Sequence, residues 1–230
     1  MKFIHLAAAA ISTCVFASMS AFAADITGSS TGVFINPLPT SAVVSGVGTS
    51  TFNFGTAFDN VGFGSLSFAA SSFSSDFNSP FKLGQLTYFN GTTVSGTEAS
   101  SVDLSIGLSF SAPPIPTSFS NFNLSLINTP NVGTPADAAD FLFFNGAQSL
   151  APFLINGIAY NVTITGFGNV VGDGFLTSNS SQLHVVEGKS ATADLFAVVS
   201  VANTVPEPGS LALLGLGLVG FAATRRAKSS

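Results

Sequence analysis

The sequence predicts an all-β chain whose body is an antiparallel β-sandwich or jelly-roll-like domain, and three observations carry that prediction. Apolar residues recur at every second position in several runs, as strands with one buried and one wet face require. Asn-Gly pairs and prolines separate those runs, and no stretch of the body sustains a helical period. Many such strands at short spacing, in a chain with only 7% charged residues, must find a second sheet to cover their apolar faces.

From the N-terminus, residues 1–23 read as a secretory signal peptide. Lys2 supplies the positive start and Ile4 to Phe16 the apolar core. Ala21 and Ala23 are the small residues before a cleavage that leaves Ala24 first in the mature chain. A permanent N-terminal anchor is the alternative, which the short core and the Ala-x-Ala ending disfavour. Cys14, the single cysteine, lies inside this segment, so the mature chain is expected to have neither disulfide nor Cys-based metal site. Ile11-Ser12-Thr13-Cys14 is also a poor match to a lipoprotein cleavage box.

Residues 24–204 form the predicted extracellular domain, long enough to bury a core without cross-links. Val102, Leu104, Ile106, Leu108 and Phe110 alternate without a break against Asp103, Ser105, Gly107 and Ser109. Phe122, Leu124 and Leu126 repeat the pattern, as do Ile158, Tyr160, Val162 and Ile164. Ala193 to Val201 is apolar at both parities and reads as a central strand covered on both faces. Asn90-Gly91, Asn145-Gly146 and Asn156-Gly157 carry the chemistry of type I′ hairpin turns. Pro113-Pro114-Ile115-Pro116 is expected to be a loop crossing between sheets. Twenty of the 24 phenylalanines fall in this body, often beside Ser, Gly or Asn. They read as an aromatic core; a ligand platform would favour Trp and Tyr, and the chain has no Trp and two Tyr.

Charge narrows the partners. Lys2, Arg225, Arg226 and Lys228 sit in the terminal segments, which leaves Lys82 and Lys189 against ten acids between Asp25 and Asp194, a net −8. Nucleic acid is bound by neutralising phosphates, and this body has no means to do so.

Catalytic chemistry is hard to assemble from these residues. The mature chain has one histidine, His184, in a strand-like context that turns it toward solvent, and no Gly-x-Ser-x-Gly elbow. A zinc site finds no second His or Cys. Glycoside hydrolysis needs two carboxylates, which exist, but also positioning groups that are scarce here. The protein is therefore expected not to be an enzyme. Calcium, a cation for oxygen ligands, suits the composition better, and Asp137 and Asp140 are the expected ligands, with solvated loop acids as the alternative. Glycines in the Phe/Gly/Ser alternation fit bulges and tight packing rather than a phosphate-binding loop.

The tail, residues 205–230, has the most specific motif. Val205-Pro206-Glu207-Pro208-Gly209 precedes the apolar run Leu211 to Ala223, which Arg225 and Arg226 close. As a helix that run spans roughly 20 Å, short of the ~30 Å hydrocarbon core, so it can halt in a bilayer but anchors weakly. The arginines favour keeping that end in the cytoplasm. This layout closely resembles the PEP-CTERM sorting signal. The resemblance implies recognition by an exosortase in a Gram-negative bacterium that makes exopolysaccharide. It further implies processing around Pro206, Glu207 and Pro208, and only transient membrane association through the helix. A permanent C-terminal membrane helix is the alternative. In the body, Phe81-Lys82-Leu83-Gly84-Gln85-Leu86-Thr87-Tyr88-Phe89-Asn90-Gly91, with the strand after it, resembles a choice-of-anchor K type domain, a surface domain with no established catalytic residues.

Together these features predict an exported, noncatalytic protein, structural or adhesive in the exopolysaccharide or biofilm matrix. A carbohydrate-binding module, assisted by calcium, is the alternative reading, and a glycoside hydrolase the third.

Overall fold

The computed structural model describes residues 26–145, 148–149 and 152–202. The described residues form fifteen strands and no helix: Ile26–Leu38 (β1), Val44–Ser45 (β2), Thr51–Phe54 (β3), Gly64–Ala70 (β4), Ser72–Ser75 (β5), Pro80–Phe89 (β6), Ser101–Ala112 (β7), Ile115–Ile127 (β8), Asp140–Phe144 (β9), Gln148–Ser149 (β10), Phe153–Ile155 (β11), Ile158–Val171 (β12), Phe175–Asn179 (β13), Gln182–Val185 (β14) and Ser190–Val201 (β15). They pair antiparallel in two sheets, ordered β13-β14-β9-β8-β7-β1-β5 and β10-β12-β15-β6-β4-β3-β2, with β11 added beside β12. The architecture is the all-β sandwich that the alternation predicts.

The alternation works as written. Val102, Leu104, Ile106, Leu108 and Phe110 of β7, and Phe122, Leu124 and Leu126 of β8, all point into the space between the sheets and are buried. In β12, Val162 and Ile164 are buried while Ile158 emerges at the hairpin end. Asn156 and Gly157 make that hairpin, with φ of 50° and 82°, and Ile155 pairs directly with Ile158. Both φ values are those a type I′ turn demands.

Aromatic rings dominate the core. Ten of the twenty body phenylalanines are buried, and Phe34, Phe52, Phe54 and Tyr88 follow one another at centroid spacings of 6.0, 5.8 and 6.5 Å. Glycine makes room for them. A Cβ at Gly32 in β1, or at Gly84 in β6, would lie within 3.0 Å of the Phe68 ring, so this ring fills space vacated on both sheets. Phe54 over Gly64 and Phe73 over Gly28 repeat the device. The Phe/Gly alternation of the sequence is therefore a packing pattern. Where β1 passes β6, buried Ser30 donates to the Leu83 carbonyl and accepts from the Ser71 N–H, so no polar group there lacks a partner.

Four expectations need correction. Asn90-Gly91 turns no hairpin: β6 pairs with β4 and β15, and the chain after it crosses to β7 in the other sheet. Asn90 is buried instead, donating its amide to the Val185 carbonyl at 2.9 Å. Pro113-Pro114 is not a crossing, because it joins β7 to β8 within one sheet, with Phe110 opposite Ile115. Pro116 is tolerated there because it falls where the register slips between Leu108 and Phe110 and no regular ladder bond is asked of it. β15 is central, between β12 and β6, but its burial alternates; Ala193, Leu195, Ala197 and Val199 face the core and Phe196 and Val198 are only half-buried. His184 faces outward as expected, yet it is half-buried. Its ring lies flat on Phe141, with centroids 3.9 Å apart and planes within 8°, and Nδ1 meets the Thr177 hydroxyl at 3.2 Å.

Candidate functional site

Strand registers bring one set of loops to a common end of the sandwich. The loops after β3, β6, β8, β12 and β14 all emerge there, because Phe54 pairs with Gly64, Phe89 with Ser190, and Asp140 with Val185. Asp59, Glu98, Asp137, Asp140, Asp173 and Glu187 lie in or beside the loops of this end, where Lys189 is the one base among the described residues. The other body lysine, Lys82, lies elsewhere, in an ion pair with Asp194.

A cleft of about 470 Å³ opens between three of these loops. Phe58 lines it from the first loop, Thr92 to Ser95 and Glu98 from the second, and Asn128 to Asn131 from the third. Phe58 is fixed by backbone pairing. Its N–H donates to the Thr92 carbonyl at 2.9 Å, the Val94 N–H donates to the Thr56 carbonyl at 2.8 Å, and Ala57 bridges Thr93. The ring nevertheless remains 73% exposed. The Glu98 carboxylate is also held in place. It accepts from the Asn128 amide at 2.8 Å, the Gly96 N–H at 2.7 Å and the Thr93 hydroxyl at 3.2 Å.

Behind the cleft the chemistry becomes buried. Thr129 turns its N–H and hydroxyl inward to Asp140 Oδ1, at 2.7 and 3.0 Å. Asp140 is 3% exposed, and desolvation pushes its carboxyl up to about 6, against the pull of the two Thr129 bonds. The negative charges of Glu187 and Glu98 push the same way. Fully buried Tyr88 has its phenol raised, first by desolvation and then by the Asp140 and Glu187 charges. Both Glu187 carboxylate oxygens are buried with no hydrogen-bond partner.

Asp137 and Asp140 thus share a loop but face different partners. Asp137 is exposed and accepts from the Thr134 N–H and hydroxyl at 2.9 and 2.7 Å, and the hydroxyl bond leads in holding its carboxyl below the usual range. A shared calcium site would require both carboxylates to add ligands beyond these bonds, and calcium takes six to eight oxygens. Among the described residues no three His, Cys, Asp or Glu side chains are grouped so as to hold a metal ion.

The residues of this cleft are absent from the sequence reading. Phe58, Glu98 and Asn128 come from three loops far apart in the chain, and no spacing joins them. Ala21, Ala23 and Ala24 of the signal cleavage lie outside the described residues, as do Val205, Pro206, Glu207, Pro208, Arg225 and Arg226 of the tail. Among the described residues no helix is long and apolar enough to cross a membrane.

Comparison with known families decides the nature of the tail. Residues 204–226 match the PEP-CTERM protein-sorting motif. This chain carries a PEP-CTERM sorting signal. The match takes in the Pro-Glu-Pro sequence, the apolar run and both arginines, so each part of the layout has its place in the motif. A PEP-CTERM signal implies export to the cell envelope or surface and processing by an exosortase. The match covers the tail alone, and the choice-of-anchor K likeness of the body stays a resemblance. No curated protein matches the chain.

Proposed function

We propose that the protein is a noncatalytic component of the cell envelope or extracellular matrix, whose sandwich domain makes structural or adhesive contacts with exopolysaccharide. The observation that carries this reading is the PEP-CTERM motif at 204–226, because it directs the domain to the compartment where such polymers lie. The body supports it. Strand faces rich in Ser, Thr and Asn offer mostly neutral hydrogen-bonding groups, as in the asparagines Asn36, Asn123 and Asn145, linked through Asp103 on the outer face of the seven-stranded sheet. A second reading, a carbohydrate-binding module with one defined site, is favoured by the cleft at the loop end.

In this proposal the apolar helix halts in the membrane, an exosortase cuts near Pro-Glu-Pro, and the domain is released to the surface. The intact mass of the mature protein tests the route. In cells with the exosortase, a species starting near Ala24 and ending near Pro206 is expected; in cells without it, a species that keeps the tail. An intact tail in both would overturn the processing step and leave a permanently anchored protein. The matrix role is tested in a deletion strain, where weakened adhesion and floc formation are expected and a normal matrix would count against it.

A further inference from the structure

We infer that the cleft bounded by Phe58, Glu98 and Asn128 is a saccharide site, and that its ligand is an uncharged pyranose residue of an extracellular glycan. This rests on the reading of the protein as one that contacts polysaccharide, and assigns the contact to particular side chains.

A pyranose presents an apolar C–H face and a rim of hydroxyls, each both donor and acceptor. The cleft has a counterpart for each. Phe58 offers an exposed ring on a backbone fixed by its pairing with Thr92, so stacking costs little ordering entropy. Glu98 and Asn128 provide the polar side. A carboxylate has about four acceptor positions, and the Thr93, Gly96 and Asn128 donors occupy three. The remaining position suits one hydroxyl. Asn128 directs its amide N–H groups to Glu98 and Thr93, which leaves its oxygen as the acceptor for a neighbouring hydroxyl. Two adjacent hydroxyls are therefore bound by groups already held in place, and a volume of about 470 Å³ lies within the range of small-molecule sites.

Charge selects among sugars. Six acids and one lysine share this end, so a uronic acid would approach a negative field, whereas a neutral sugar would not. The site also needs no cation, since Glu98 and Asn128 can meet the hydroxyls directly.

The test uses the mature protein recovered from cells on an array of neutral gluco-, manno- and galacto-oligosaccharides and N-acetylglucosamine oligomers, with alginate as the uronic acid probe. Saturable binding to a neutral oligomer is expected, at least tenfold stronger than to alginate and unchanged by chelator. Phe58→Ala and Glu98→Gln should each lower that affinity at least tenfold, with the melting temperature of Phe58→Ala unaltered because the ring is exposed. A blank neutral array, chelator-sensitive binding, or full affinity in Phe58→Ala would each overturn the assignment. Retention on the cells' own exopolysaccharide, measured in parallel, separates the two levels. Equal retention of wild type and Phe58→Ala removes the cleft but keeps the adhesive reading, and no retention of either removes both.

Discussion

Removing the Phe68 ring is expected to destabilise the sandwich by about 3–5 kcal/mol, the cost of deleting a fully packed core aromatic. Phe68 is 4% exposed and lies between Gly32 of one sheet and Gly84 of the other, where a Cβ at either glycine would overlap the ring. Gly32→Ala and Gly84→Ala alone should therefore cost about 1–3 kcal/mol each through overpacking. The diagnostic result is the combination. In the Phe68→Ala background the added methyl enters space that the ring has left, so the cost of Gly32→Ala should shrink or reverse, with a coupling energy above about 1 kcal/mol. Urea denaturation of the four proteins in the cycle measures this. Additive costs would show that the ring and the glycine do not share one space.

That packing explains how far the sequence could be read. β7 from Val102 to Phe110 and β8 from Phe122 to Leu126 were legible because one face of each is buried along those stretches, and a face with a single environment writes a strict period of two. The hairpin at Asn156-Gly157 was legible because its backbone needs positive φ at both positions and few residues supply it. Asn90-Gly91 has the same composition and a different fate, since the choice between turning and crossing depended on β15 being available to pair with β6. That pairing joins residues more than a hundred positions apart, such as Phe89 with Ser190 and Pro80 with Val198, beyond any local signal. β15 misled in another way: Phe196 and Val198 are apolar at the outward parity, but packing over Gly168 and along a central strand leaves them half-covered without a second layer.

The tail and the cleft lie at opposite extremes of legibility. A sorting signal is recognised as a linear peptide, so its residues must be contiguous, and Val205 to Arg226 could be read directly. The cleft is assembled by three loops whose ends the sheets bring together, and nothing in the order Phe58, Glu98, Asn128 reports that meeting. His184 shows the same gap on a smaller scale. Its parity predicted an outward side chain, while its stack on Phe141 depends on the β14–β9 register.

Asp140→Asn is expected to stabilise the protein at pH 8 by about 1–3 kcal/mol and near pH 4.5 by only about a third as much. The carboxyl of Asp140 has a folded pKa of about 6, above the value near 3.9 of an unfolded aspartate. An acid whose pKa is raised on folding binds its proton more tightly in the folded state. Its favourable contribution is complete below about pH 4 and is lost as pH rises through 6. Above that, the native protein holds a charge that is 3% exposed and faces Tyr88, Glu187 and Glu98, with Thr129 as its hydrogen-bond donor. Asparagine keeps an oxygen for the Thr129 N–H and hydroxyl and carries no charge, which removes the repulsion with the Glu187 and Glu98 carboxylates. Asp137 and Asp194 have lowered pKa values, so their stabilisation disappears only at more acid pH than this window. Denaturation curves of wild type and variant between pH 4.5 and 8 should therefore diverge as pH rises. The gap should widen between about pH 4 and pH 6, level off above that, and amount to a few degrees in melting temperature at its widest. Parallel curves across the window would mean that Asp140 is solvated better than its burial implies, and that the acidic floor behind the cleft adds no pH dependence to the fold.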